Sequence, residues 1–172
     1  MAGKFRVTLR VLVLVLLPFL ALSLQSTVLS PYSIKGVVPD IVLVIVVCYA
    51  MLNSKGHSVA YGVFCGLLED LFSARIIGIN AIAKGVTAYI ISRLQPRLFQ
   101  DNALVGLLMV LIGTVLNLLL SFLILYFTAG VFHVHHNIIQ YGLYQILYNS
   151  IMAIPVYYLF YLSKRDVQEN MF

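Results

Sequence analysis

The stretch Val59-Ala-Tyr-Gly-Val-Phe-Cys-Gly-Leu-Leu-Glu-Asp-Leu-Phe72 decides how the chain is read. Taken as a helix, it places Gly62, Gly66 and Asp70 on one face, at i, i+4 and i+8. Two of those positions carry no side chain and the third carries a carboxylate. In an apolar helix, Gly-x-x-x-Gly lets a neighbouring backbone approach closely. A carboxylate on the same face needs a partner if lipid surrounds the helix.

The composition says that lipid does. Of 172 residues, 62% are hydrophobic and 10% are charged, and the mean hydropathy is +1.00. Soluble domains carry roughly 25% charged residues, and a globular core of this size cannot hide so much apolar surface. The net charge of +5 does not point to nucleic acid. The basic residues sit at the ends of apolar segments, and no segment interleaves Arg with exposed aromatics. Cys48 and Cys65 both lie inside apolar segments and read as small buried hydrophobes, with no disulfide or zinc spacing.

Charges and turn residues cut the chain into six apolar segments, about 11–29, 37–52, 59–72, 76–94, 103–129 and 138–162. None shows period-two alternation, and backbone groups in lipid must bond internally, so all six are read as helices. The first has a basic lead of Lys4, Arg6 and Arg10, like a signal peptide. Its apolar run is long and lacks a small-x-small cleavage site, so it reads as a retained span. The second and third, at about 24 and 21 Å, are short for a hydrocarbon core of ~30 Å. Buried ends or local thinning of the membrane would account for that. Pro39 lies near the start of the second span, and Pro18 and Pro155 inside the first and sixth predict kinks. Connections are short, so the fold class expected is an all-α membrane protein, one compact bundle of six transmembrane helices spanning 1–172.

Lys and Arg set the orientation. With the N-terminus inside, the cytoplasmic segments hold eight of them: Lys4, Arg6, Arg10, Lys55, Arg93, Arg97, Lys164 and Arg165. The outer segments hold Lys35 and Arg75, and Lys84 lies within a span. Both termini are therefore expected in the cytoplasm. This gathers Asp40, Glu69, Asp70 and Lys84 toward the outer side. Lys84 lies roughly 9 Å along the fourth helix from Gly78. The tight link between the third and fourth helices predicts that it pairs with Asp70, with Glu69 as the alternative. The pair reads first as a structural clamp, ahead of a proton relay or a substrate contact.

Small residues recur elsewhere. Gly78, Ala81, Gly85 and Ala88 form one stripe, and Gly113, Asn117 and Ser121 another, both read as helix seams. Asn117 is expected to reach Gln145 or Asn149 on the sixth helix. Tyr141, Tyr144 and Tyr148 form a stripe near the outer side. Tyr157, Tyr158 and Tyr161 lie near the inner side, where Tyr must supply the interfacial belt because the chain has no Trp. His133, His135 and His136 share an outer loop. They read as surface residues, because no acidic fourth ligand lies near. No phosphate loop, HExxH or G-x-S-x-G motif is present, so neither a catalytic set nor a cofactor is expected.

Pro39-Asp40 opening an aliphatic helix, then Gly62-x-x-x-Gly66-Leu-Leu-x-Asp70, then Gly78-x-Asn80-Ala81 opening the next, resembles the rod shape-determining MreD family. The matching positions are Pro39, Asp40, Gly62, Gly66, Asp70, Gly78 and Ala81; Lys84 and the histidines lie outside the pattern. The resemblance implies a non-enzymatic scaffold in the bacterial inner membrane, serving cell shape and lateral peptidoglycan synthesis. It implies an MreC-type partner and, in the larger elongation machinery, MreB, RodA and a class B penicillin-binding protein. The family is similar in size and span number to the substrate-binding subunits (S-components) of energy-coupling-factor vitamin transporters, which gives transport as the alternative function. Such subunits carry Ala-x-x-x-Ala on the first helix, and Val11–Leu24 has no such stripe.

Overall fold

A computed structural model describes residues 2–73, 77–94, 103–129 and 138–169, with side chains placed over 11–73, 77–94, 104–128 and 139–160. Among the described residues there are six α-helices and no strand. They are α1 (Ala2–Leu24), α2 (Ile41–Leu52), α3 (Lys55–Ser73), α4 (Ile79–Leu94), α5 (Ala103–Ala129) and α6 (Ile138–Glu169). A π-helical turn, Gln25–Leu29, and a 3₁₀ turn, Ser30–Tyr32, prolong α1.

The apolar segments and the helices coincide, but their starts differ for local reasons. α2 begins at Ile41 rather than 37, because Pro39 lacks an N–H and Asp40 is the N-cap. The Asp40 carboxylate accepts the Leu43 N–H at 2.8 Å. Just before it, Lys35 and Gly36 take positive φ values of 53° and 80°. Ile34 and Val37 exchange backbone hydrogen bonds across them, the pattern of a tight primed turn. α3 begins four residues earlier than the apolar run, at Lys55, and the Ser54 carbonyl accepts the Ser58 N–H at 3.0 Å to close its first turn. α4 begins at Ile79 rather than 76, after Gly78 at φ +107°. Pro18 and Pro155 both lie inside helices, α1 and α6.

α2 is the hub. It packs against each of the other five helices. Ile41 to Cys48, Ala50 and Met51 are all buried, so it is apolar on every side. A helix with no polar face has no place at a surface. At roughly 18 Å it is far shorter than a bilayer core; it starts buried at Ile41 and reaches a partly exposed Leu52. α3 and α4 form the tightest pair, and α1 packs mainly against α2 and α3.

The outer surface is apolar. Leu20 of α1, Leu119 and Leu123 of α5, and Leu143, Leu147, Ile151 and Ile154 of α6 stand more than half exposed. Exposed apolar faces that run the length of helices need a partner or lipid. Two segments, Val11–Tyr32 and Leu104–Thr128, are long and apolar enough to cross a membrane.

Candidate functional site

Three helices converge on Lys84. Its side chain is fully buried, and its ammonium lies 2.8 Å from Asp40 Oδ2 and 2.8 Å from Glu69 Oε2. The three groups come from α2, α3 and α4. Two carboxylates thus share one ammonium in the interior, where an unpaired charge is costly.

The expected Lys84–Asp70 pair does not form. Asp70 is almost completely buried and works at the start of α4 instead. One oxygen accepts the Gly78 N–H at 2.8 Å and the Ala81 N–H at 3.3 Å. The other accepts the Asn80 N–H at 3.1 Å and the Asn80 side-chain amide at 2.9 Å. The first N–H groups of a helix lack partners within it and carry its positive dipole end. Gly78 has no side chain to cap them, so a carboxylate from the preceding helix does so. Asp70 is therefore satisfied without Lys84, and Glu69, one position round the helix, faces the ammonium.

Gly62 and Gly66 face α4, as their spacing requires. A Cβ on Gly62 would stand 2.7 Å from the Lys84 carbonyl oxygen and 3.0 Å from Ala88 Cβ. A Cβ on Gly66 would stand 2.6 Å from Ala81 Cα. The groove is filled by the chain's own fourth helix. Ala81, Gly85 and Ala88 are all buried along it. On α5, Gly113 meets Val47 of α2.

The polar residues of α6 serve the start of α2. Asn149 accepts the Asp40 N–H at 2.8 Å and donates to Thr114 Oγ1 at 3.1 Å. The Gln145 amide, oriented to satisfy its neighbours, donates to the Val38 carbonyl and accepts from the Asp40 N–H, each at 3.3 Å. Asn149 therefore partners Thr114 rather than Asn117, and buried Asn117 Oδ1 accepts no hydrogen bond among the described residues. Asn149 holds α2, α5 and α6 together, a role the spacing of single segments did not reveal.

The tyrosine stripe also ties elements. Tyr148 donates to the Tyr32 carbonyl at 2.8 Å, and Lys35 lies over the Tyr144 ring at 5.7 Å. Near the other end Tyr157 packs against Gly106, and Tyr158 is exposed. Between α1, α5 and α6 lies a cavity of about 1230 Å³, with Asp40 and Glu69 in its wall. His133, His135 and His136 lie outside the described residues.

An all-helical bundle with exposed apolar faces and a core clamped by buried charges defines a membrane protein whose polar residues hold helices together. The family model for rod shape-determining protein MreD matches residues 5–166, and the chain belongs to that family. It is thus a member of a membrane protein family with a role in rod shape determination. No curated protein and no solved structure matches the chain.

Proposed function

We propose that this chain is a non-catalytic scaffold of the rod-elongation machinery, holding an MreC-type membrane protein and, through it, cell-wall synthesis partners such as RodA and a class B penicillin-binding protein. MreB is the cytoplasmic element such an assembly would serve. All six helices cross the bilayer in this reading, with both termini in the cytoplasm and the Asp40–Glu69–Lys84 cluster toward the outer leaflet. The family match over residues 5–166 carries the reading.

The packing supports it. Asp40, Gly62, Gly66, Asp70, Gly78 and Lys84 are all engaged in joining α2, α3 and α4. These residues pack α2, α3 and α4 together, and the apolar faces of α1, α5 and α6 are left for lipid or a single-span partner. The test is recovery of an MreC-type protein with the solubilised full chain, read by mass spectrometry. Co-recovery at stoichiometric yield is the expected result. A bundle that purifies alone from cells expressing the partner overturns the scaffold.

A second reading, the substrate-binding subunit of a small-molecule transporter, draws on the cavity of about 1230 Å³. The first helix speaks against it, since Val11–Leu24 offers no small-residue face to a coupling subunit. Co-recovery of ATPase subunits instead of an MreC-type protein would favour it.

A further inference from the structure

The cavity has a wall chemistry of its own. α1 packs mainly on α2 and α3, and the cavity is lined by Leu22 near its end together with residues of α5 and α6. Part of the lining is apolar, with Leu22 from α1 and Leu118 and Phe122 from α5. The rest of the lining is rich in acceptors. Asp40 and Glu69 line it, and these two carboxylates have one ammonium, Lys84, between them. Asn117 and Ser121 project from successive turns of α5, and both line the cavity. Asn117 is 6% exposed, and neither Asn117 Oδ1 nor Ser121 Oγ has a hydrogen-bond partner among the described residues. Buried polar atoms are normally satisfied, so two such atoms on one face call for a ligand that brings donors. Gln25, in the π-helical turn, also lines the cavity and donates to the Pro39 carbonyl at 2.8 Å. π-turns of this kind cluster at functional sites. The cation in the lining is Lys35, fixed by its turn and by the Tyr144 ring.

We propose that this cavity binds a zwitterionic amphiphile bearing a primary ammonium. Its ammonium meets the excess acceptors of Asp40, Glu69, Asn117 and Ser121, its anionic group meets Lys35, and its apolar part lies along Leu118 and Phe122. The phosphoethanolamine head group has this chemistry, whether supplied by a bilayer phospholipid or by a soluble phosphoamine. An ammonium supplies three N–H donors where the wall lacks them, and a trimethylated ammonium supplies none. At about 1230 Å³ the cavity exceeds the range of roughly 300–1,000 Å³ usual for small-ligand sites, which suits a molecule with a chain attached. This site is built whether or not the bundle also holds a protein partner.

The experiment uses the full chain in detergent, titrated with phosphatidylethanolamine, phosphatidylcholine or free phosphoethanolamine. Retained adducts are read by native mass spectrometry and Tm by thermal unfolding. Phosphatidylethanolamine is expected to bind at least about tenfold more tightly than phosphatidylcholine and to raise Tm. Free phosphoethanolamine that competes at comparable concentration assigns the source to solution; its failure to compete, with phosphatidylethanolamine bound, assigns it to the bilayer. Glu69→Gln removes the excess carboxylate and leaves the Lys84–Asp40 pair, and it is expected to abolish the preference between the two lipids. Ser121→Leu fills the polar part of the lining from a partly buried position and is expected to weaken phosphatidylethanolamine binding by about tenfold, which keeps the test open should Glu69→Gln fold poorly. Equal binding of the two phospholipids by the unaltered chain overturns the proposal. So does an undiminished preference in both variants.

Discussion

Lys84 Nζ lies 2.8 Å from Asp40 Oδ2, although α3 separates the two helices in sequence. The contact ties the N-terminus of the central helix to the middle of a helix two elements later, and Glu69 joins from the helix between them. Removing one partner from a buried ionic cluster leaves the others uncompensated. Lys84→Met, which leaves Asp40 and Glu69 facing each other, is therefore expected to cost about 3–5 kcal/mol. Thermal unfolding in detergent measures it. The double change Asp70→Lys with Lys84→Asp is expected to fare no better than the singles, because Asp70 is not the lysine's partner.

Asp70 acts through backbone groups, and its removal has a different signature. Asp70→Ala strips the acceptor from three N–H groups at the first turn of α4. Loss of a helix cap costs up to about 2 kcal/mol, and the several donors orphaned here put this site at that upper end. Amide hydrogen exchange should accelerate at Gly78, Asn80 and Ala81 and remain slow in the middle of α2. Uniform acceleration across the chain would mean that Asp70 does something other than cap.

The glycine face separates close packing from mere helix propensity. Gly66→Ala places a methyl against the backbone of α4, which has no rotamer to yield, so it is expected to cost about 3 kcal/mol, the upper part of the range for overpacking. Gly56 in the same helix has open space around its Cβ position. Gly56→Ala is expected to be neutral or to stabilise by roughly 0.5–1 kcal/mol through helix propensity alone. Comparing the two Tm shifts isolates the packing term. Gly66→Leu is expected to abolish partner recovery in a pull-down through loss of the fold.

Much of this was legible in the sequence, and the failures have physical causes. The six helices follow from apolar runs cut by charges, and the stripe Gly62, Gly66, Asp70 faces α4 as its period requires. Chain proximity points Lys84 first to Asp70, which it does not meet, and to the alternative Glu69, which is one of its two carboxylate partners. Two facts outweigh proximity. A helix N-terminus with glycine at its cap is a stronger claimant for Asp70, and Asp40 approaches from a segment 44 residues away. The glycine at position 78, eight residues after a carboxylate, was the available clue. Asn149 was seen as a candidate hydrogen-bonding residue, but not as the one that receives the Asp40 N–H 109 residues earlier. Such contacts depend on how helices cross, which local spacing does not encode.

The orientation of the bundle yields a prediction that needs no folding variant. The two native cysteines are buried, at 1% and 0% exposure, so neither competes for a thiol reagent in the folded protein. Tyr32 is 74% exposed, beside the end of the bundle where α2 begins. Ser54 is exposed at the opposite end, between α2 and α3. In the proposed orientation, which rests on the excess of Lys and Arg on the Ser54 side, that end faces the cytoplasm. Tyr32→Cys in intact cells with a permeable outer envelope is therefore expected to react with a membrane-impermeant maleimide, whereas Ser54→Cys reacts only after the inner membrane is broken. Both substitutions sit on side chains that carry little of the fold, since Tyr32 contributes its carbonyl to Tyr148 and Ser54 bonds through exposed atoms to His57. Labelling in the reverse order would invert the bundle. It would put the Asp40–Glu69–Lys84 cluster and its cavity toward the cytoplasmic leaflet, and the outer-leaflet assignment would fall.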